Sequence, residues 1–169
     1  MLEFVLASEG NELEVATVHV RSWQAAYRGL LPDDLLDHLR PEHRAGRYTF
    51  SRTSPDDPRT LLAVWDGSLC GFATIGPGRD SDLTRSIAEL MALYLDPAWW
   101  GKKVGKALIG EARAQMGDLG YQESVLWVLA GNVRARRFYE QDGWSWDGCE
   151  SDFVWEGFAA PQVRYRRSI

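Results

Sequence analysis

Apolar positions along the chain alternate between two periods, and the changes of period mark out a mixed α/β protein. A short first strand is expected over Phe4 to Ala7. A helix follows over Asn11 to Tyr27, where Leu13, Ala16, Val20 and Trp23 recur near helical spacing. Gly29 ends that helix, Pro32-Asp33-Asp34 opens a second short one through Leu39, and a further helical piece is expected over Pro41 to Phe50. Ser54 to Pro58 reads as a surface loop. The apolar runs Leu61 to Trp65 and Leu69 to Ile75 flank Asp66-Gly67-Ser68, a hairpin signal because Asp and Gly both tolerate positive φ. Gly76-Pro77-Gly78 breaks the second of these strands, and Ile87 to Leu95 forms a third, ended by Asp96-Pro97. Val104 to Leu119 is an amphipathic helix with Val104, Ala107, Leu108, Ala112 and Met116 on one stripe and Gly120 as its stop. Ser124 to Leu129 is a strand, and Asn132 to Asp142 is a helix with an Asn cap and Gly143 after its end. Trp144 to Trp146 and Gln162 to Arg167 read as closing strands. The order β-α-α-β-β-β-α-β-α-β-β predicts an α/β fold with a mixed sheet.

No repeat, low-complexity tract or linker interrupts this order, so residues 1–169 read as one domain. With 45% hydrophobic and 25% charged residues, the chain reads as soluble and globular. The net charge of -5 implies no broad basic surface, so nucleic acid is not expected as a partner. No segment approaches the ~20 apolar residues of a membrane span, and the first residues carry no basic leader, so no membrane partner is expected. Cys70 and Cys149 lie far apart, and neither they nor His19, His38 and His43 show metal-ligand spacing, so no metal is expected. Two thiols without a disulfide framework suggest a reducing, cytoplasmic setting. Most of the eight tryptophans should be core or cleft walls, because each buries a large area.

Two segments carry candidate chemistry. In Leu93-Tyr94-Leu95-Asp96-Pro97-Ala98-Trp99-Trp100-Gly101-Lys102-Lys103-Val104-Gly105-Lys106, a strand passes through a glycine-containing loop into a helix N-terminus. Such a turn aims free backbone N–H groups and the positive end of a helix dipole at one point, which suits an anion such as pyrophosphate. Lys102, Lys103 and Lys106 add charge, although solvated lysines on a capping loop would look the same. A P-loop is excluded, since Gly101 and Gly105 enclose three residues and Ala107 follows Lys106, and G-x-G-x-x-G is absent. In the second segment, Asn132 and Tyr139 are seven apart and share a helix face. A phenol there can protonate a leaving thiolate. Taken alone, Asn132 reads as a plain cap and Tyr139 as a half-buried core aromatic.

Together the segments resemble the GNAT N-acetyltransferase family, through its acyl-CoA signature at Trp100 to Gly105 and its Asn-x-x-Ala-x-x-Phe-Tyr-x-x-x-Gly stretch at Asn132 to Gly143. The resemblance extends to His19 through Pro32, which is similar to the first helices of bacterial small-molecule acetyltransferases. Two positions depart from the pattern Arg/Gln-x-x-Gly-x-Gly/Ala: Trp100 at the first place and Lys103 at the middle glycine. Lys can replace that glycine only with negative φ or at some strain, and its charge beside the pyrophosphate would compensate.

The resemblance implies a mostly antiparallel sheet with a splayed parallel central pair, Ile87 to Leu95 and Ser124 to Leu129, flanked by helices. It implies acetyl-CoA as co-substrate, held by Leu93, Leu95, Trp100, Gly101, Lys102, Lys103, Val104, Gly105, Lys106, Asn132 and Tyr139, and direct transfer of its acetyl group to a small-molecule amine. Tyr139 would be the general acid and Glu89 the base. Glu89 is an acid in an apolar strand, where a charge must be paired or face a wet cleft; a place at the strand's solvated start, or pairing with an arginine such as Arg85, are the alternatives. His19, Trp23 and Tyr27, four apart, form a helix stripe that would be either the acceptor wall, with His19 as a second candidate base, or ordinary core. Phe153, Trp155 and Phe158 would line the other side of the cleft, cover the sheet edge, or cover a homodimer interface. Acetylation of a protein N-terminus or lysine, and a non-catalytic acyl-CoA-binding module, remain as alternatives.

Overall fold

Seven strands hydrogen-bond into one sheet in the computed structural model, which describes residues 1–169. The strands are β1 (Leu2–Leu6), β2 (Arg59–Trp65), β3 (Ser68–Pro77), β4 (Ile87–Leu95), β5 (Glu123–Leu129), β6 (Ser145–Trp155) and β7 (Phe158–Ser168). The helices are α1 (Glu12–Ala26), α2 (Asp33–Asp37), α3 (Pro41–Ala45), α4 (Val104–Asp118) and α5 (Val133–Gln141), with one 3₁₀ turn at Pro97–Trp99. The sheet order is β1-β2-β3-β4-β5-β7-β6, and every neighbouring pair is antiparallel except β4 and β5. The Asp66-Gly67 hairpin forms as expected, with φ of 46° and 81° at the two residues.

Three local expectations need correction. The third helical piece stops at Ala45 and does not run to Phe50. The first strand begins two residues earlier and ends one residue earlier than expected. The closing strands are far longer than Trp144 to Trp146 and Gln162 to Arg167. They make an eleven-residue hairpin arm on each side of Glu156-Gly157, whose φ values of 48° and 78° suit a tight hairpin turn. Pro161 hides this strand in the sequence, because proline rarely sits inside a sheet. Here its carbonyl accepts from the Ala130 amide at 2.9 Å, so its missing N–H would face the end of β5, where the ladder has already finished.

The larger core fills the space between the sheet and α4, with Leu108, Ile109, Ala112 and Met116 fully buried against Ile75, Ala88, Leu90 and Leu126. The opposite face carries two smaller clusters under α1 and α2, built around Trp23, Leu31 and Leu36 and around Val15, Val18 and Phe72. On β4 the pairing with β3 skips Met91, since Thr74 faces Ala92 and Ile75 faces Leu90. This bulge turns the side-chain alternation over. Ala88 and Leu90 before it and Leu93 and Leu95 after it all pack on the α4 side, while Glu89, Ala92 and Tyr94 take the α1 side.

The parallel pair is short. β4 and β5 are in register only over Ile87, Ala88 and Glu89 against Glu123, Ser124 and Val125. Beyond them the strands diverge, and β5 continues for its full length paired to β7 alone.

Candidate active site

The gap between the diverging strands opens into a cavity of about 550 Å³, lined by 28 residues of which 18 are hydrophobic. Its largely apolar lining suits a ligand with a long uncharged arm.

One end of the cavity is the loop before α4. Gly101 has φ of 75° and Lys103 has φ of 64° with ψ of 1°, immediately before the helix. Lys103 therefore takes the strained alternative, not the negative φ that lysine prefers. The conformation starts α4 so that the amides of its first turn are free of helical partners. Gly105 lies in that turn, and a Cβ on it would meet Leu95 and Phe138 at 3.5 Å, an ordinary contact. Gly101, Trp100, Lys103, Gly105 and Lys106 line the cavity. Lys102 does not: its ammonium lies 4.8 Å from the Trp99 ring. Val104 is a buried core side chain and can contribute only its backbone.

Trp100 donates its indole N–H to the Leu95 carbonyl at 3.2 Å, which fixes the ring. The Arg134 guanidinium stacks on it 3.5 Å from the ring centroid, a contact worth about 0.5–2 kcal/mol. Arg134 also lines the cavity and has no carboxylate partner, and burial alone draws its pKa below the ordinary value. The departure at the first loop position thus brings its own cation, carried by α5. Arg134 stood in plain view in the Asn132-Val133-Arg134-Ala135 string, but nothing there tied it to Trp100 across 34 residues.

At the middle of the cavity, Leu93 and Leu95 present β4, and Asn132 and Tyr139 present α5. Asn132 caps the helix, its Oδ1 accepting from the Ala135 amide at 3.1 Å, and the same residue reaches the cavity wall. Tyr139 is 9% exposed, and its hydroxyl makes no hydrogen bond within the protein. Burial, and then the neighbouring Tyr94 phenol, push its pKa above the usual tyrosine range, so it stays protonated.

The other end is aromatic. Trp23 and Tyr27 from α1, Tyr94 from β4 and Phe153 from β6 line it. Trp23 is the hub, with ring centroids 5.1 Å from Tyr27, 6.0 Å from Phe153 and 5.2 Å from Trp155. Trp155 and Phe158 pack behind this wall and do not line it. His19 does not line it either. It is 3% exposed, beneath Trp23 and Tyr94, with Nδ1 2.8 Å from the Tyr48 hydroxyl. Burial, and then the Arg44 charge, lower its pKa to about 3, which makes it a weak base. The stripe thus splits, with Trp23 and Tyr27 at the cavity and His19 in the packing below.

Glu89 reaches the cavity from the parallel zipper, 2% exposed. Its partner is Arg79, not Arg85: Arg79 Nη2 donates to Oε1 at 2.6 Å and Nε to Oε2 at 3.0 Å. Arg79 belongs to the loop between β3 and β4, which is anchored elsewhere by the buried Arg164. Arg164 donates to Asp80, Asp82 and Asp147 at 2.6–2.9 Å, and Asp80 also accepts from the Trp127 indole at 3.0 Å.

Residues 19–144 match the model of the acetyltransferase (GNAT) family. The chain belongs to that family. It is 36% identical over 138 residues to an uncharacterized N-acetyltransferase of Mycobacterium bovis, a match covering 80% of this chain and 83% of that one. It is 29% identical over 140 residues to the spermidine N(1)-acetyltransferase of Thermoplasma acidophilum, with the same coverage of each chain. A match to the uncharacterized N-acetyltransferase YuaI of Bacillus subtilis, 28% identical over 124 residues, covers 70% of this chain and spans 66% of that protein. Among solved structures, the PaiA N-acetyltransferase of Thermoplasma acidophilum in complex with coenzyme A superposes with a TM-score of 0.77 at 22% identity, over 100% of this chain and 99% of that one. The splayed parallel pair, the loop before α4 and the α5 stretch are therefore parts of an acetyltransferase fold.

Proposed function

We propose that this acetyltransferase moves the acetyl group of acetyl-CoA directly onto the nitrogen of a small-molecule amine. The observation that carries the reading is one continuous cavity that joins an anion-ready loop to an aromatic wall through the gap between β4 and β5. A relative named for spermidine and a structural neighbour that holds coenzyme A lend support.

The residues present fit the cofactor. Free amides at the start of α4, with Lys103, Lys106 and Arg134, suit its phosphates. The unpaired edge of β4 beyond Glu89 suits the amides of its pantetheine arm, with Leu93 and Leu95 supplying main-chain groups. Acetyl-CoA supplies the thioester. Tyr139, held protonated, gives its proton to the departing sulfur as the carbon–sulfur bond breaks and the nitrogen–carbon bond forms. The amine's proton passes to Glu89, directly or through water. Arg79 holds that carboxylate in one rotamer and compensates its burial. Trp23 and Tyr27 contact the acceptor, and His19 supports them from below.

Thiol release from acetyl-CoA on addition of amines, with calorimetric binding of CoA, tests the reading. Gly105→Asp brings a negative charge to the first turn of α4, where a Cβ meets its neighbours only at ordinary contact distance, so the variant should fold and lose CoA affinity. Unchanged affinity in the folded variant refutes the loop assignment. Binding without turnover of any amine would mark a non-catalytic module, and turnover restricted to peptides would move the acceptor to protein.

A further inference from the structure

Five charged residues line the cavity: Arg79, Glu89, Lys103, Lys106 and Arg134. Three of these cations sit around the α4 and α5 N-termini, which leaves Arg79 and Glu89 for the acceptor end. Those two neutralise each other through two short side-chain hydrogen bonds, and the Arg79 amide adds a third at 3.3 Å. The acceptor end therefore holds no unpaired carboxylate. The acids nearest to it on β6, Glu150 and Asp152, alternate with Ser151 and Phe153 along a stretch in regular register with β7. Phe153 lines the cavity, so the two acids point to the opposite face of the sheet.

The polar groups that remain at this end are neutral. The indole N–H of Trp23, a residue 8% exposed, makes no well-formed hydrogen bond within the protein, the Tyr94 hydroxyl of the same wall being the one acceptor turned toward it. A buried donor left unsatisfied is costly, so a ligand that offers it a well-placed acceptor atom gains affinity. The phenol of Tyr27 stands beside it, held protonated by burial and by its neighbouring phenols.

Resting on the acetyltransferase reading above, we infer that the acceptor is a primary amine with a single positive charge, an aromatic or broad apolar body, and a neutral hydrogen-bond acceptor that meets the Trp23 indole. A polyamine is disfavoured, because its second ammonium would be desolvated against aromatic faces and a carboxylate already occupied by Arg79. The flat walls of Trp23, Tyr27, Tyr94 and Phe153 give a ring its contact area.

The test compares kcat/KM for tyramine, phenethylamine and spermidine in the thiol-release assay, in wild type and in Trp23→Phe. Wild type should use tyramine at least about 10-fold better than spermidine, and tyramine better than phenethylamine. Trp23→Phe keeps a ring in the wall but removes the N–H, so it should erase the advantage of tyramine over phenethylamine while leaving acetyl-CoA affinity unchanged. Trp23→Ala, if folded, should raise KM for both ring-bearing amines. Spermidine used as well as or better than tyramine overturns the inference, as does a tyramine advantage that survives Trp23→Phe. So does an enzyme that binds acetyl-CoA and acetylates peptides but none of the three amines. If wild type fails to bind acetyl-CoA, the underlying reading falls and this inference with it.

Discussion

Lys103 places a side chain where the backbone favours glycine, and replacing it separates two effects that the wild-type residue combines. At φ 64° and ψ 1° the residue is left-handed, exposed, and makes no side-chain cap on α4. A Cβ in this region costs about 1–2 kcal/mol, whereas glycine costs about 0.5–1 kcal/mol in added freedom of the unfolded chain. Lys103→Gly should therefore stabilise the folded protein by about 0.5–1 kcal/mol, which raises Tm by about 2 °C for a chain of this size. Lys103→Ala keeps the Cβ and should change stability by less than about 0.5 kcal/mol. Both variants remove the same charge, so both should bind acetyl-CoA more weakly than wild type at low salt, with the gap closing at high salt. Any difference between them reports backbone fit alone, and glycine should bind tighter than alanine. The measurements are thermal unfolding without ligand and calorimetric titration at two salt concentrations. If Lys103→Gly melts no higher than Lys103→Ala, the strain attributed to this backbone is absent and the reasoning fails.

Tyr139→Phe should lower kcat by ~10²–10⁴ with acetyl-CoA affinity nearly kept, and the wild-type rate should show no decline from loss of the Tyr139 proton below about pH 10, as stopped-assay pH profiles would reveal. Arg134→Ala should weaken acetyl-CoA binding by roughly 10-fold and flatten its salt dependence, and Arg134→Lys should recover the salt dependence but not the stacking on Trp100; titration calorimetry distinguishes them. His19 stays neutral in the folded state down to about pH 3, while an unfolded chain protonates it near 6.5, so its contribution is present above pH 6.5 and is lost as pH falls toward 3. His19→Gln should lose about 2–3 kcal/mol less stability than wild type between pH 6.5 and 4.5 in urea titrations, and parallel curves for the two proteins would count against this account.

The sequence shows the loop, the α5 helix and the order of elements because each is a local signal: a turn pair, a cap, a stripe. Asp66-Gly67 and Asn132 behave as their chemistry demands. What escaped was non-local. The reach of β6 and β7 depended on Pro161 falling just past the end of β5, which no local rule reveals. The face taken by Glu89 depended on an extra residue at Met91, which inverts the alternation that a reader would count. The pairing of Glu89 with Arg79, and not Arg85, depended on the path of a loop held by Arg164, whose three aspartates come from two separate stretches of chain. The His19, Trp23 and Tyr27 stripe is helical as expected, but spacing alone does not tell which member of a stripe meets solvent and which meets the sheet.

The brevity of the parallel zipper has a consequence for motion. Only three residue pairs join β1–β4 to β5–β7 within the sheet, so the hydrogen-bond ladder is nearly cut in two while the cores on either face remain whole. Amides along the open edges of β4 and β5 should exchange with solvent much faster than those of β2, β3 and β7, although all belong to one sheet. A ligand arm laid between the strands would act as a splice, and exchange at those edges should slow together across both halves. Stability would then rise with ligand concentration, by about 2.7 kcal/mol at 100 times Kd, and the melting temperature with it. In such a protein the empty sheet is the compliant state, and the bound reactant supplies the stiffness.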